Sequence, residues 1–434
     1  MPTMNINTKT ALIHVETLIG SGHMRIVSHL SRALQNRGVD VYVLSSKGSQ
    51  GKGSDFDFGL TKFIDLPNLF RDAASGKSFL THNNVHYLDD LGFQQERFAS
   101  IADAMDRIKP DIFLTETWPL GKGFWDKELL PVLDKVNGTP WVSPYIATIA
   151  RDVTCYPNHR QWLSDEGNAN EAVRIINEYF DDVIVTGDHR FIELEDSFPK
   201  ASQIKTPIYY AGYFASETLD RAEMPQSERE VVVSSGSGYK QDCFKYYSAA
   251  IHARQLSSFS QNPWRILVSH DCPEDDMIKL QGIASQMEDP NSIIIERNRP
   301  DFRQLIANAA ATISFGGRNT TTEVLGVKQK YDVPVLIYPR ASDKLDVAEQ
   351  QLRTIKLADM GVLGMLTEED LDEPAEFAAR LDQTARITSG TYLRVDMNGA
   401  DAAADIIVKG ADYKLATQRS MNYRTALFPR ALKR

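Results

Sequence analysis

The chain has 434 residues, 42% of them apolar and 24% charged, and a formal net charge of -10. That length exceeds one ordinary core and calls for two domains, while the acidic balance argues against a nucleic-acid surface, which needs clustered Lys and Arg. No apolar run approaches the roughly 18 residues that span a bilayer, and MPTMNINTKT lacks a signal-like apolar core, so a soluble cytoplasmic protein is expected. Cys155, Cys243 and Cys272 are scattered without a C-x-x-C pair, and reduced thiols with no disulfide framework and no zinc site are the expectation.

Strand-length apolar runs alternate with segments of helical period, the mark of a parallel sheet with helices on its faces. In the first half the strands read as residues 11–18, 39–46, 111–117, 140–148 and 181–188. Between the first two, Ile26, Val27, Leu30, Ala33 and Leu34 share one helix face, and Gly38 is placed to stop that helix. The Gly- and Ser-rich piece 45–59 reads as a mobile loop. The polar stretch 215–230 separates this half from a second with the same grammar, whose strands are 231–238, 264–270, 292–297, 311–317 and 334–339. Two doubly wound α/β domains follow, 1–220 and 221–408, with a C-terminal segment 409–434.

In open α/β sheets ligands bind beyond the carboxyl ends of the strands, where turns and helix N-termini leave backbone N–H groups unpaired. Two such edges facing each other would form a cleft, with a phosphate-bearing donor on one side and an acceptor on the other. IGSGHMR, residues 19–25, puts His23 between glycines at a strand-to-helix turn, as a base, a phosphate neighbour or part of a tight loop. In SSGSGYK, residues 234–240, Gly236 and Gly238 allow backbone approach to a diphosphate and Ser237 adds a donor. The full G-x-G-x-x-G and G-K-[ST] patterns are missing there, and a plain tight turn is the alternative. In FGGRNTTTEVLG, residues 315–326, Glu323 stands one turn into a helix where a carboxylate can accept from a ribose diol. A capping box between Thr320 and Glu323 is the competing reading. Glu349, Gln350 and Gln351 could bind sugar hydroxyls or belong to a solvated helix face. His82 and His86 have the i, i+4 spacing of metal ligands without a third, and Asp55-Phe56-Asp57 reads as surface, so no metal is expected.

These stretches carry a resemblance. SSGSG, GGRNTTTE and EQQ are similar to the donor-domain turns of GT-B glycosyltransferases, in particular the group that adds N-acetylglucosamine to the lipid-linked peptidoglycan precursor. A closer likeness runs through almost the whole chain, to a bacterial family described as predicted glycosyltransferases. It resembles that family in GHMR (22–25), TETWPLGKG (115–123), ARDV (150–153), GDHRF (187–191), GGRNT (316–320), and PR followed by EQ from Pro339 and Glu349. It departs from the family in opening the second domain with SSGSG in place of a glycine triplet, and in Arg318 where an aromatic is common.

The resemblance implies a GT-B fold, two Rossmann-like domains about a central cleft, with the last segment crossing back to the first domain; contact with a membrane surface is the alternative for that segment. It implies inverting, metal-independent transfer of a hexose or N-acetylhexosamine from a nucleotide diphosphate sugar, a UDP-sugar by analogy, to an acceptor, with no other cofactor. Gly236, Ser237 and Gly238 would face the diphosphate, Glu323 the ribose, the Arg299 backbone the base, and Gln350 with Gln351 the sugar, with Gly22, Gly316, Gly317, Asn319, Thr320 and Glu349 also in the donor-binding set. His23 would be the catalytic base, with Glu116 and Asp152 in reserve for that role or for orienting acceptor or imidazole. Arg25 and Arg151 would meet donor phosphate or an anionic acceptor. A sugar-nucleotide 2-epimerase and a non-catalytic nucleotide-sugar-binding protein are the alternatives.

Overall fold

The computed structural model describes residues 8–17, 21–71, 79–121, 123–138, 143–154, 165–236, 242–340, 345–388 and 390–427. It divides into two compact units, one of residues 1–189, 193–214 and 398–434, the other of 190–192 and 215–397.

The first unit runs β1 (Thr10–His14), α1 (Gly22–Gln35), β2 (Asp40–Ser45), α2 (Lys47–Gly51), β3 (Lys62–Asp65), α3 (Leu91–Ile108), β4 (Ile112–Glu116), α4 (Asp126–Asn137), β5 (Tyr145–Arg151), α5 (Glu166–Tyr179), β6 (Asp182–Thr186) and β7 (Ile208–Tyr210). The seven strands form one parallel sheet in the order β3-β2-β1-β4-β5-β6-β7. Its central strands are buried on both faces because successive side chains point to opposite sides. Leu12 packs with Phe93, Leu129 and Ile176 on one face, and Ala11 and Ile13 with Val27 and Leu30 on the other. The helix face read from Ile26, Val27, Leu30, Ala33 and Leu34 is buried throughout, and Gly38 takes φ +73° beyond the helix end.

The second unit contains β8 (Val231–Ser234), α6 (Cys243–Arg254), β9 (Trp264–Val268), α7 (Glu274–Ser285), β10 (Ile293–Arg297), α8 (Phe302–Asn308), β11 (Ala311–Phe315), α9 (Arg318–Tyr331), β12 (Val335–Tyr338), α10 (Leu345–Asp359), β13 (Gly364–Met365) and α11 (Pro374–Thr384). Its six strands are parallel in the order β10-β9-β8-β11-β12-β13. The last helix, α12 (Gly399–Leu427), lies in the first unit. Arg37 pairs with Asp401 and Asp405 there, and Lys414 with Asp181. Gly410 leaves room for the Tyr145 ring, which a Cβ would approach to 2.4 Å.

Three strands, β3, β7 and β13, escape the sequence reading. Each lies at or next to a sheet edge, is only two to four residues long, and lacks the apolar run that marks a central strand. The start of the expected mobile loop 45–59 is ordered instead: Ser46 caps α2, and Ser46 and Ser49 are fully buried. Asp57 is exposed and pairs with Arg32, in keeping with a surface position.

Candidate functional site

In each sheet the strand order reverses at one place, between β1 and β4 in the first unit and between β8 and β11 in the second. A reversal parts the two following loops to opposite faces and opens a crevice at the carboxyl edge. His23 and Glu116 stand at the first of these places, and Gly236 and Gly316 at the second.

In the first unit, Gly22 opens α1 and His23 sits in its first turn, beyond the end of β1. Glu116 is the last residue of β4. His23 Nδ1 lies 2.5 Å from Glu116 Oε2, with the carboxylate buried and the imidazole 14% exposed. Arg151, at the end of β5, places Nη2 2.9 Å from His23 Nε2. The same Nη2 is 3.4 Å from Nδ1, so the guanidinium lies against the ring and off the Nε2 lone pair; an ionised carboxylate only accepts, so Nδ1 carries a proton and donates it to Glu116. With Nδ1 turned to Glu116, Nε2 is the ring nitrogen left to exchange a proton.

The turn after Glu116 is fixed by several bonds. Thr117 has φ +55°, an outlier for a β-branched residue. Thr115 Oγ1 and Thr148 Oγ1 both donate to the Trp118 carbonyl at 2.7 Å, and Trp118 Nε1 donates to Asp126 at 2.6 Å. A Cβ on Gly121 would meet Thr117 Oγ1 at 2.7 Å, so this glycine is required. Asp126 is itself pushed up to about 6 by burial, against the opposing indole N–H bond.

Asp152 is fully buried, accepting from the Tyr213 hydroxyl at 2.8 Å and from the Val153 N–H at 3.0 Å. A Cβ on Gly187 would come within 2.6 Å of the Asp152 Cβ, so the ARDV and GDHRF stretches pack directly on each other. Arg25 is half-buried in the first turn of α1.

Beneath this edge lies a charged cluster that sequence reasoning missed. Arg97, Glu16, Glu128, His14 and Tyr87 are each at most 1% exposed. Arg97 donates to Glu128 at 2.6 and 3.0 Å, to Glu16 at 3.2 Å and to the Pro67 carbonyl at 2.8 Å. His14 Nε2 and the Tyr87 hydroxyl each lie 3.1 Å from Glu128. Burial alone would raise the Glu128 carboxyl, but Arg97 and His14 outweigh it and hold it at about 2. The signal available was Glu16 in ALIHVETL, since a carboxylate just beyond a buried strand needs a partner.

In the second unit, Gly236 (φ +79°) lies two residues beyond β8, and a Cβ there would stand 3.6 Å from Thr320 Oγ1. Asn298, also missed, follows β10 and donates its side-chain N–H to the Gly236 carbonyl at 2.7 Å. Gly317 caps α9, so Arg318, Asn319 and Thr320 form its first turn, at the positive end of the helix dipole. The Thr320–Glu323 capping box is not formed, because Thr320 stands inside the helix. Glu323, one turn further in, lines a shallow pocket with Ser216, Thr218 and Arg303.

A Cβ on Gly316 would lie 3.0 Å from Thr354 Oγ1 and 3.3 Å from Gln350 Cβ, which brings α10 against the GGRN turn. Gln350 Oε1 and Thr354 Oγ1 are buried there without a partner among the described residues. Gln351 donates to the Arg340 carbonyl at 3.1 Å, and Glu349 accepts from the fully buried Arg353 at 2.7 Å, so this is not a solvated helix face. The Arg299 side chain turns to Asp301 and Glu296. Ser237 and Gly238 lie outside the described residues, as does Cys155, while Cys243 and Cys272 are buried thiols. Among the described residues no group of three or more His, Cys, Asp and Glu could hold a metal ion, and no helix is long and apolar enough to cross a membrane.

No protein-family model matches the chain, and no curated protein does. Solved structures do. The glycotransferase of kitacinnamycin aligns with 13% identity over 93% of this chain and 99% of its own, at a TM-score of 0.54. MurG of Acinetobacter baumannii aligns with 13% identity over 92% and 99%, at 0.53. The UDP-GlcNAc 2-epimerase of Neisseria meningitidis, solved bound to UDP-GlcNAc, aligns with 10% identity over 92% and 99%, at 0.55. At such identities the likeness is one of fold, and with two parallel doubly wound sheets the chain has the α/β GT-B fold.

Proposed function

We propose that the chain is an inverting glycosyltransferase that moves a hexose or N-acetylhexosamine from a nucleotide diphosphate sugar, a UDP-sugar, to an acceptor hydroxyl. The observation that carries this reading is the buried Glu116 carboxylate on His23 Nδ1, which leaves Nε2 as a base at a sheet-edge crevice. Attack on an anomeric carbon requires the acceptor hydroxyl to lose its proton, and neutral imidazole suits that step near pH 7. In this reading Nε2 takes the proton and Glu116 stabilises the imidazolium that forms, as a buried carboxylate does behind a general-base histidine. Arg151, already at Nε2, shifts to an anionic group of acceptor or donor, and Arg25 adds positive charge. Asp152, held by Tyr213, shapes the same edge.

The donor is assigned to the second unit. Backbone N–H groups of Gly236 and its neighbours Ser237 and Gly238, with those of Gly317, Asn319 and Thr320, meet the diphosphate, whose departure the α9 N-terminus stabilises without a metal. Glu323 accepts from the ribose, the Arg299 backbone meets the base, and Gln350 and Gln351 address the sugar.

Likeness to a 2-epimerase supports a second reading. Incubation with UDP-N-acetylglucosamine alone separates the two. Slow release of UDP, lost in His23→Ala, supports transfer; an epimerised nucleotide sugar sinks it. Binding of the nucleotide sugar with neither product, whatever acceptor is offered, leaves only the binding-protein reading.

A further inference from the structure

We infer that Ser49, together with Gly53, is a positioning residue for His23: the segment 46–53 holds Thr17 and Met24, which flank His23 in the chain, and so sets the direction of the imidazole. The inference rests on the reading of His23 as the base.

On the strand side of the turn, the fully buried Ser49 hydroxyl accepts the Thr17 N–H at 2.8 Å. Its own proton has two candidate acceptors, Glu16 Oε2 at 2.5 Å and the Thr17 carbonyl at 2.9 Å. One hydroxyl has one proton and two lone pairs, and the carboxylate is both nearer and charged, so the proton goes to Glu16. Glu16 is held in turn by the Ser46 N–H at 2.6 Å, the Ser46 hydroxyl at 2.9 Å and Arg97 at 3.2 Å. Arg97 also binds Glu128 on α4 and the Pro67 carbonyl after β3. One buried guanidinium therefore ties the segments that follow β1 and β3 to the start of α4, and through Glu16 reaches Ser46 after β2.

On the helix side, Gly53 packs against the residue that follows His23. A Cβ there would lie 3.1 Å from Met24 Cβ and 3.2 Å from Met24 Cε, and Met24 is fully buried. Thr17 and Met24 are thus both gripped by the same short segment, with the histidine between them. A hydrogen bond as short as that from His23 to Glu116 tolerates little displacement of either end. Ser49 acts on it through the backbone of Thr17, and Gly53 through the first turn of α1.

The test is ring-nitrogen NMR of the full chain labelled at histidine, with His23→Gln to assign the signal. In the wild type the two His23 nitrogens are well separated, as for one tautomer, and Nδ1 carries a low-field proton. Ser49→Ala, folded by circular dichroism, is expected to lose that proton and draw the two nitrogen shifts together, with UDP release from UDP-N-acetylglucosamine reduced by up to about 100-fold, the effect of a misplacement of about 1 Å. Gly53→Ala is expected to act in the same direction, and it carries the test should Ser49→Ala fail to fold. Wild-type His23 signals in a folded variant whose melting temperature alone has dropped would overturn the inference. If His23→Gln itself releases UDP at the wild-type rate, the base reading fails, while the NMR result still decides whether the segment orients the ring.

Discussion

His23 and Glu116 are 93 residues apart in the chain and 2.5 Å apart in the fold, the imidazole in the first turn of α1 and the carboxylate at the last residue of the neighbouring strand β4. The pair predicts a division of labour. His23→Ala should lower turnover of a UDP-sugar by at least about 100-fold, the ordinary contribution of a general base, with little change in donor affinity. Glu116→Gln keeps the shape but can donate to Nδ1, which places the ring proton on Nε2, and a loss of similar or larger size is expected. Steady-state kinetics on both variants checks this, and unchanged turnover in either would remove that residue from the mechanism.

Donor binding should depend on the GGRN turn. Gly316→Ala places a methyl 3.0 Å from Thr354 Oγ1 and forces α10 and the turn apart. A thermal-shift titration with UDP and UDP-N-acetylglucosamine should show ligand stabilisation of the wild type, growing with concentration as mass action requires. The shift should shrink in Gly316→Ala and vanish in Glu323→Ala, while His23→Ala retains it.

Acid stability should report on Glu128. Its carboxyl is held at about 2 against an ordinary 4.5, so the folded state binds fewer protons than the unfolded state between those values. Its contribution is complete above about pH 4.5 and is lost as pH falls toward 2. Glu128→Gln should flatten this part of the urea-unfolding profile. It should also cost about 3 to 5 kcal/mol at neutral pH, because a buried Arg97 loses its principal partner.

Lys328 should act in the opposite range. It is fully buried in α9, donates to the Ile387 carbonyl at 2.9 Å and lies over the Tyr392 ring, and burial pushes its ammonium down to about 8 from 10.5. Between those values the unfolded chain binds more protons, so this group makes stability rise with pH from about 8 and adds nothing further above about 10.5. Urea unfolding at pH 7.5, 9 and 10 should show a slope that Lys328→Met removes.

The fold was legible because its signals are local. Residues 11–14, 231–234 and 311–315 are apolar runs of strand length, and the face of α1 repeats at helical spacing, so two doubly wound sheets could be read directly. The edge strands β3, β7 and β13 could not, since a strand paired on one side needs little apolar character. The site was half legible. Glycine-flanked turns pointed to Gly22, His23, Gly236 and Gly316, but Ser49 read as part of a Gly/Ser loop and Arg97 carried no signal of its own. Nothing local distinguishes a charge that will be buried from one that will be solvated.

By itself, the sequence determined the alternation of strand and helix, the turns where ligands can approach a sheet edge, and the residue types available there, because period and turn chemistry act over a few residues. Only the tertiary structure decided that His23 meets Glu116 and Arg151, that Asn298 meets Gly236, and that one buried Arg97 ties the segments beneath His23. Those contacts depend on strand order, and strand order is set by the joint packing of both sheet faces.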